Sequence, residues 1–425
     1  VGSRAGIIVT GTEVLTGRVT DRNGPWLAEQ LREFGVDIAS VTIVGDRPAD
    51  LRAALDFLVG TDVDLIITSG GLGPTADDLT AEIVAGVQGR PSALDPVLEQ
   101  KIAAIVSRLM ASRGWRLDPE ATAAATRKQA FVPDGATVLA PVGTAPGLVV
   151  PPATGRSGPP VVVLPGPPRE LQGMWPVVLD DPTILAALDG RGELRQRTLR
   201  LWGTPESELA ATMREHESSL AGLEITTCLS GGELEIVTRY GPSAQHAYDR
   251  FAAVIEDNFA DSLFSADGRT IDEIVADGLL EKGLTISTAE SCTAGLLAAR
   301  LTERPGSSDY VLGGFVVYSN AAKHDLVGVA TELIESVGAV SAEVASALAD
   351  GARKQLGADI GVGITGIAGP GGGSADKPVG LVHLCVSGDG AKIARRVVLP
   401  GSRSDVRERA VVIALHMIRE LLTTL

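Results

Sequence analysis

Residues 70–80 read Gly70-Gly71-Leu72-Gly73-Pro74-Thr75-Ala76-Asp77-Asp78-Leu79-Thr80 and directly follow the apolar run Leu65-Ile66-Ile67-Thr68-Ser69. Gly70, Gly71 and Gly73 let a backbone come close to a phosphate, and a helix opening behind them offers free N–H donors and a favourable dipole. Carboxylates repel phosphate. The tandem Asp77 and Asp78 make sense there if a divalent cation bridges carboxylate and phosphate oxygens. With Thr75 and Thr80, the pattern points to a metal-assisted phosphate or nucleotide site. The plainer alternative is a strand-to-helix turn with Asp78 as N-cap. Two more loops leave strand-like runs: Thr10-Gly11-Thr12-Glu13, and Pro165-Gly166-Pro167-Pro168-Arg169-Glu170. In an open α/β sheet, ligands bind beyond the carboxyl ends of the strands, so all three loops are expected at one sheet edge. The Pro-Gly turn of the third loop reads equally as a simple strand terminator.

A second constellation replaces carboxylates with a hydroxyl. Thr288-Ala289-Glu290-Ser291-Cys292-Thr293-Ala294-Gly295 again lies between a strand pattern and a helix pattern. A serine in that place can simply cap the helix. Two other segments change the reading. Tyr318-Ser319-Asn320-Ala321-Ala322-Lys323 ends another strand, and Thr365-Gly366-Ile367-Ala368-Gly369-Pro370, followed by Gly371–Gly373, places a donor-rich loop after a third. His324 would point elsewhere on a helix and His383 sits within a strand, so neither serves Ser291. A Ser291–Lys323 pair is the better nucleophile arrangement, because a lysine acts as base once desolvation or neighbouring cations lower its pKa. Backbone N–H groups after Ser291 would be natural oxyanion donors. Cys292 is the rival nucleophile, with its side chain directed away into packing. Gly371–Gly373 has a strong plainer reading as a disordered surface turn. Arg403, Arg407 and Arg409 either bind a phosphate or face solvent.

The elements that must position these groups alternate. Strands are predicted at Ile7–Thr10, Ile38–Val44, Leu65–Ser69 and Val161–Leu164. Helices are predicted at Asn23–Phe34, Ala49–Leu58, Pro96–Arg113 and Pro119–Gln129. This alternation implies a three-layer α/β domain with a largely parallel sheet. Roughly Asp189–Asp261 reads differently, with strands at Gln196–Leu201 and Glu233–Tyr240 and helices at Pro205–Glu215 and Ala244–Phe259. This is a small α+β unit without a chemical constellation. Glu233 and Glu235 alternate with apolar residues and read as its wet face. The turn-rich Ser265–Arg269 marks a boundary. A second α/β pattern follows: helices Ile271–Lys282, Thr293–Leu301, Ser341–Leu356 and Ser404–Leu422, with strands Leu284–Ala289, Val311–Tyr318, Ile360–Thr365, Leu381–Ser387 and Lys392–Leu399. The expected domains are 1–170, 171–264 and 265–425.

Composition narrows the partners. The chain has 425 residues and a net charge of −16, which argues against non-specific binding to nucleic acid or an anionic membrane. Aromatic residues make up 4 %, too few for stacking platforms along a nucleic acid strand. Cys228, Cys292 and Cys385 are far apart and lack metal-ligand spacing, so neither a disulfide framework nor a zinc site follows, and a reducing cytoplasm is the simple expectation. The chain opens almost at once on a strand pattern, Ala5–Val9, and has no apolar stretch near the length of a membrane span.

The order of these segments resembles the competence/damage-inducible CinA family over essentially the whole chain. The signatures are Gly70–Thr80, Arg127-Lys128-Gln129-Ala130, Pro141–Gly147, Leu164–Pro168, Ala289–Thr293, Tyr318–Asn320 with Lys323, and Thr365–Pro370. The resemblance implies a first domain similar to molybdopterin-biosynthesis domains of the MoaB/MogA type, acting as a metal-dependent ADP-ribose pyrophosphatase that yields AMP and ribose 5-phosphate. It implies a small linking domain, and a last domain that deamidates nicotinamide mononucleotide to nicotinic acid mononucleotide and ammonia without a cofactor. It also implies a homodimer. Carried over, Ser291 is the nucleophile, Lys323 its base, and Tyr318 orients or activates one of them. Thr293, Asn320, Thr365, Gly366, Ala368, Gly369 and Arg407 would hold the nucleotide. In the first domain Asp77 and Asp78 would hold the metal, with Gly70, Gly71, Gly73, Thr75, Gly11, Thr12 and Glu13 around the phosphate. Two positions depart from the family pattern: Ala294 stands where Gly is common, and Thr126 where Asn is expected. Ala294 is small enough for the deamidase to survive. The competing functions are a pterin-binding or nucleotidyl-transferring protein, and a non-enzymatic partner in DNA uptake or repair.

Overall fold

The computed structural model describes residues 2–113 and 118–425. Two compact units divide the chain: Val1–Gln196 with Gly241–Ser243, and Arg197–Tyr240 with Ala244–Leu425.

The first unit is built on a six-stranded sheet in the spatial order Asp37–Val44, Arg4–Thr10, Leu65–Ser69, Val161–Leu164, Gly147–Val150, Thr137–Leu139. The first four strands pair in parallel and the last two antiparallel. Every residue of Leu65–Ser69, Gly147–Val150 and Val161–Leu164 is buried, as a strand covered on both faces requires. One face packs on Leu27, Leu31, Leu171, Met174 and Trp175, the other on Leu51, Leu55, Leu58 and Val84. This is the expected three-layer α/β arrangement. Helix Pro168–Leu179 therefore belongs to the first core, and the first unit continues beyond residue 170. The antiparallel pair did not stand out in the sequence, because its strands are short and set among prolines and glycines.

The second unit contains two sheets. The smaller runs in the order Leu223–Ser230, Glu233–Tyr240, Arg195–Trp202, Leu263–Ser265, and packs Leu199, Leu201, Leu234 and Ile236 on Phe251 and Ile255 of helix Gln245–Asn258. Strand Leu223–Ser230 was not expected, since its outer face is polar and exposed. Glu233 is not part of a wet face. Its Oε1 lies 2.7 Å from Nε2 of His416, a residue 1 % exposed, on helix Arg403–Thr424. The imidazole stacks on Trp202 at 3.9 Å between centroids. Burial holds its pKa below the ordinary value, so the neutral ring donates Nε2–H to Glu233.

The larger sheet runs Val311–Val316, Ile286–Glu290, Ile360–Gly366, Leu381–Ser387, Lys392–Val398, the first three parallel and the rest antiparallel. Helix Ala342–Leu356, capped by Ser341, lies unusually close to it. A Cβ on Gly363 would collide with the carbonyl oxygen of Ala345, so a glycine is needed at that crossing. Among the described residues, no helix is long and apolar enough to cross a membrane.

Candidate functional sites

In the first unit, all three predicted loops meet in one pocket of about 350 Å³ beyond the carboxyl ends of the parallel strands. Gly11, Glu13, Gly70, Gly71, Gly73, Thr75, Asp77 and Asp78 line it, together with Gly166 and two acids not singled out in the sequence, Asp46 and Glu170. Gly70 has φ +106°, and a Cβ there would stand 2.5 Å from the Thr10 carbonyl oxygen, so the strand-to-loop crossing demands glycine. Thr12 does not line the pocket. Its N–H and hydroxyl donate to Asp46 Oδ2 at 2.8 and 2.7 Å, so it positions that acid.

Asp78 is not a helix cap. Helix Thr80–Gln88 starts behind Leu79 without a side-chain cap, and Asp78 Oδ2 instead accepts the Thr75 N–H at 2.9 Å and its hydroxyl at 2.6 Å. Asp77 contacts the same hydroxyl, and that bond holds its carboxyl below the usual range. One hydroxyl proton cannot serve two carboxylates, so the pair converges in a way that a cation would relieve. Among the described residues, no three His, Cys, Asp or Glu side chains gather as a ready-made metal group. Two carboxylates nevertheless suffice for a hard cation that fills its other positions with water and substrate phosphate. The donor set therefore fits such an ion. Burial raises the Glu170 carboxyl above its ordinary pKa.

The Arg127-Lys128-Gln129 signature fastens the loop: Lys128 Nζ donates to the Thr75 carbonyl, and Gln129 Nε2 to that of Leu72 at 2.8 Å. Buried Asn23 ties two of the strand ends together, its Nδ2 donating to Ser69 Oγ at 2.8 Å and the Gly166 carbonyl at 2.7 Å. Thr126 is buried.

In the second unit, Glu290 ends its strand fully buried and accepts the N–H groups of Gly295, Leu297 and Ala298 at 3.0, 3.1 and 2.8 Å. This carboxylate caps helix Leu296–Leu301 from inside, a task the sequence reading did not assign to it. The helix begins three residues later than expected because Ala294 (φ +50°) and Gly295 (φ +93°) are both left-handed. A left-handed alanine costs roughly 1 kcal/mol. Ala294→Gly is therefore expected to stabilise the protein by about 0.5–1 kcal/mol, read as a higher urea midpoint at unchanged slope.

The turn places Ser291, 8 % exposed, with its N–H on the Ile364 carbonyl at 2.9 Å, in the parallel register that sets it beside Thr365. Lys323 is 1 % exposed, on helix Asn320–Val327, which Ser319 caps. Its Nζ lies 3.1 Å from Ser291 Oγ, 2.9 Å from the Val317 carbonyl and 3.2 Å from that of Tyr318. Among the described residues no carboxylate bonds it, and burial lowers its pKa. Cys292 faces the core, and burial pushes its thiol up to about 11. It is therefore protonated at neutral pH.

The remaining expected residues divide. The Tyr318 ring is exposed and its hydroxyl accepts from Arg403 Nη2 at 2.9 Å, so the residue meets Lys323 through its backbone carbonyl. Arg403 Nη1 also donates to the Gly369 carbonyl at 2.9 Å, bridging two of the loops. Arg407 Nη2 donates to the Thr293 carbonyl at 2.9 Å, while Thr293 Oγ1 and Arg407 Nε are buried without a partner among the described residues. The Thr365 hydroxyl is spent on the Ala339 carbonyl at 2.8 Å, and Asn320 is exposed. Gly366 and buried Ala368 continue the same loop. Arg409 lines a different cavity. His324 Nδ1 contacts the Val329 carbonyl, and His383 is buried, its Nδ1 unpartnered among the described residues.

Residues 268–422 match the model of the CinA C-terminal domain, and residues 6–185 that of a probable molybdopterin binding domain. A CinA-like protein of Mycolicibacterium gilvum is 58 % identical, covering 100 % of this chain and 99 % of its own. The CinA-like protein of Mycobacterium tuberculosis is 53 % identical, covering 100 % and 98 %. The crystal structure of a competence/damage inducible protein from Agrobacterium tumefaciens matches 36 % of this chain and 95 % of its own, with 44 % identity and a TM-score of 0.35. With two full-length relatives above half identity and both domain models in order, the chain belongs to the CinA family.

Proposed function

We propose that this protein is a bifunctional hydrolase of pyridine-nucleotide recycling. Its second unit deamidates nicotinamide mononucleotide, and its first cleaves ADP-ribose to AMP and ribose 5-phosphate. The observation that carries the first half is the buried Lys323 amine 3.1 Å from the Ser291 hydroxyl.

A neutral amine has two hydrogens and a lone pair. Two carbonyls, of Val317 and Tyr318, are available for the hydrogens, and the lone pair then faces Ser291. Lys323 takes the hydroxyl proton as Ser291 Oγ attacks the carboxamide carbon. The C–N bond breaks as the ammonium of Lys323 returns a proton to the departing nitrogen, releasing ammonia. Water, deprotonated by the same amine, then hydrolyses the ester and restores Ser291. Gly295, Leu297 and Ala298 spend their N–H groups on Glu290 and are thereby excluded as oxyanion donors.

In the first unit, Asp77 and Asp78 would hold a divalent ion, which when bound neutralises phosphate charge. The glycine turn receives the phosphate, and Lys128 and Gln129 hold that turn in shape. The family match to a probable molybdopterin binding domain favours one second reading, in which this pocket holds a pterin for nucleotidyl transfer. Transfer needs ATP and a pterin, whereas hydrolysis needs only water and metal.

The test uses the full chain with each substrate. Ammonia release from nicotinamide mononucleotide is expected to survive a chelator, and AMP release from ADP-ribose to be lost with it. Asp78→Ala is expected to lower AMP release by at least about 100-fold, in the range of lost charge stabilisation, with ammonia release intact. Metal response unchanged in Asp78→Ala would remove this residue from the metal site.

A further inference from the structure

A cavity of about 810 Å³ adjoins the phosphate pocket, and Asp78 lines both. Its floor is made of small residues, among them Ala81, Ala85 and Ala124, and the Phe131 ring stands at its edge, 43 % exposed. Lys128 lines it while reaching the Thr75 carbonyl on the phosphate side. Arg90 also lines it, held in place by the carbonyls of Pro151, Asp134 and Pro152. The volume is that of a small-molecule site. Its lining adds what the phosphate pocket lacks, an aromatic face and cationic side chains, to small apolar residues and the carboxylates of Asp78 and Glu82. In a chain with so few aromatic residues, an exposed ring beside a cavity is a pointed feature.

We propose that this cavity seats the base and ribose of a nucleotide, the base stacked on Phe131 and the phosphate passing Lys128 to reach the pocket of Asp77 and Asp78. This deepens the reading of that pocket as a phosphate site and rests on it. The rule for substrates then follows. A sugar phosphate without a base occupies only the smaller pocket, and a nucleotide spans both. Phe131 acts as a specificity residue that touches the base, and takes no part in bond breaking.

The test measures binding of AMP and of ribose 5-phosphate to the full chain by calorimetry, with the rate of AMP release from ADP-ribose alongside. Phe131→Ala is expected to weaken AMP about tenfold or more, the usual loss when a stacked base loses its aromatic partner. It should leave ribose 5-phosphate affinity unchanged and raise KM for ADP-ribose at nearly constant kcat. Phe131→Trp keeps a ring and is expected to restore AMP binding. The side chain is partly exposed, so both variants should fold, and a melting curve checks this. Equal AMP affinity in wild type and Phe131→Ala would overturn the proposal. So would loss of a dimer in Phe131→Ala with AMP binding unaltered, which would assign the cavity to a second copy of the chain. AMP binding that depends on Phe131 in a protein that does not cleave ADP-ribose would support the cavity while refuting the hydrolytic reading of its neighbour.

Discussion

Ser291→Ala is expected to reduce ammonia release from nicotinamide mononucleotide by on the order of 10⁴-fold or more, the scale on which removal of an activated nucleophile acts. The reason is geometric. Ser291 is the hydroxyl that Lys323 Nζ reaches, at 3.1 Å. The neighbouring Cys292 cannot substitute, since it packs into the core with its thiol pushed up to about 11. Stability should change little, because the Ser291 N–H keeps its bond to the Ile364 carbonyl and the helix behind is capped by Glu290. AMP release from ADP-ribose should be untouched. Parallel assays of the two products on one preparation check this, and comparable loss of both would refute separate sites for the two reactions.

Lys323→Met is expected to cost about 10³-fold in the same reaction, within the contribution typical of a positioned general base. Methionine approximates the volume of the buried stem and removes a charge that burial penalises, so the fold should tolerate it. Lys323→Arg should fail as well, since a guanidinium remains protonated and cannot accept the proton. The pH dependence has a definite sign. Burial depresses the Lys323 pKa, and the base works only when neutral. The wild-type rate should therefore rise with pH and level off above a pKa lower than that of an ordinary lysine. The same depression means that the unfolded chain binds the proton more readily than the folded one. Lys323 therefore removes stability as pH falls from the unfolded lysine value through the folded one. Lys323→Met should lose both the rate inflection and this share of the stability change. A rate profile that keeps its inflection in Lys323→Met would assign the titration to another group.

Much of the first pocket was legible because its parts are local. The glycines of 70–73 follow a buried apolar strand, and α/β sheets collect their loops at the carboxyl edge. Gly11, Glu13, Thr75, Asp77 and Asp78 all line the pocket. Asp46 was missed because a single acid after a strand has an ordinary explanation, and Glu170, although it ends the third expected loop, was given no role of its own. Thr12 lies in the expected loop, and its hydroxyl turns to Asp46. In the second unit, Tyr318 was placed near Lys323 by sequence spacing. The helix that carries Lys323 turns the ring outward to Arg403 and leaves the carbonyl on the amine. Glu290 was read only as part of the segment between the strand and the helix. A carboxylate just ahead of a helix start is the signal that could have found its capping role.

By itself the sequence determined the order and nature of nearly all long elements, the two strand–turn–helix sites, and membership of a family. Periodicity, capping residues and glycines act within a few positions of one another, so they are visible in a string. The tertiary structure decided how distant partners meet. Ser291 and Lys323, a pair their residue types already suggested, are 32 residues apart, and their contact depends on adjacent parallel strands, a helix start and the burial of the amine. Likewise Glu233, read as a solvent-facing residue, found His416 183 positions away. Such pairings are chosen by packing across elements, where burial sets which polar groups must find a partner and which are left free to react.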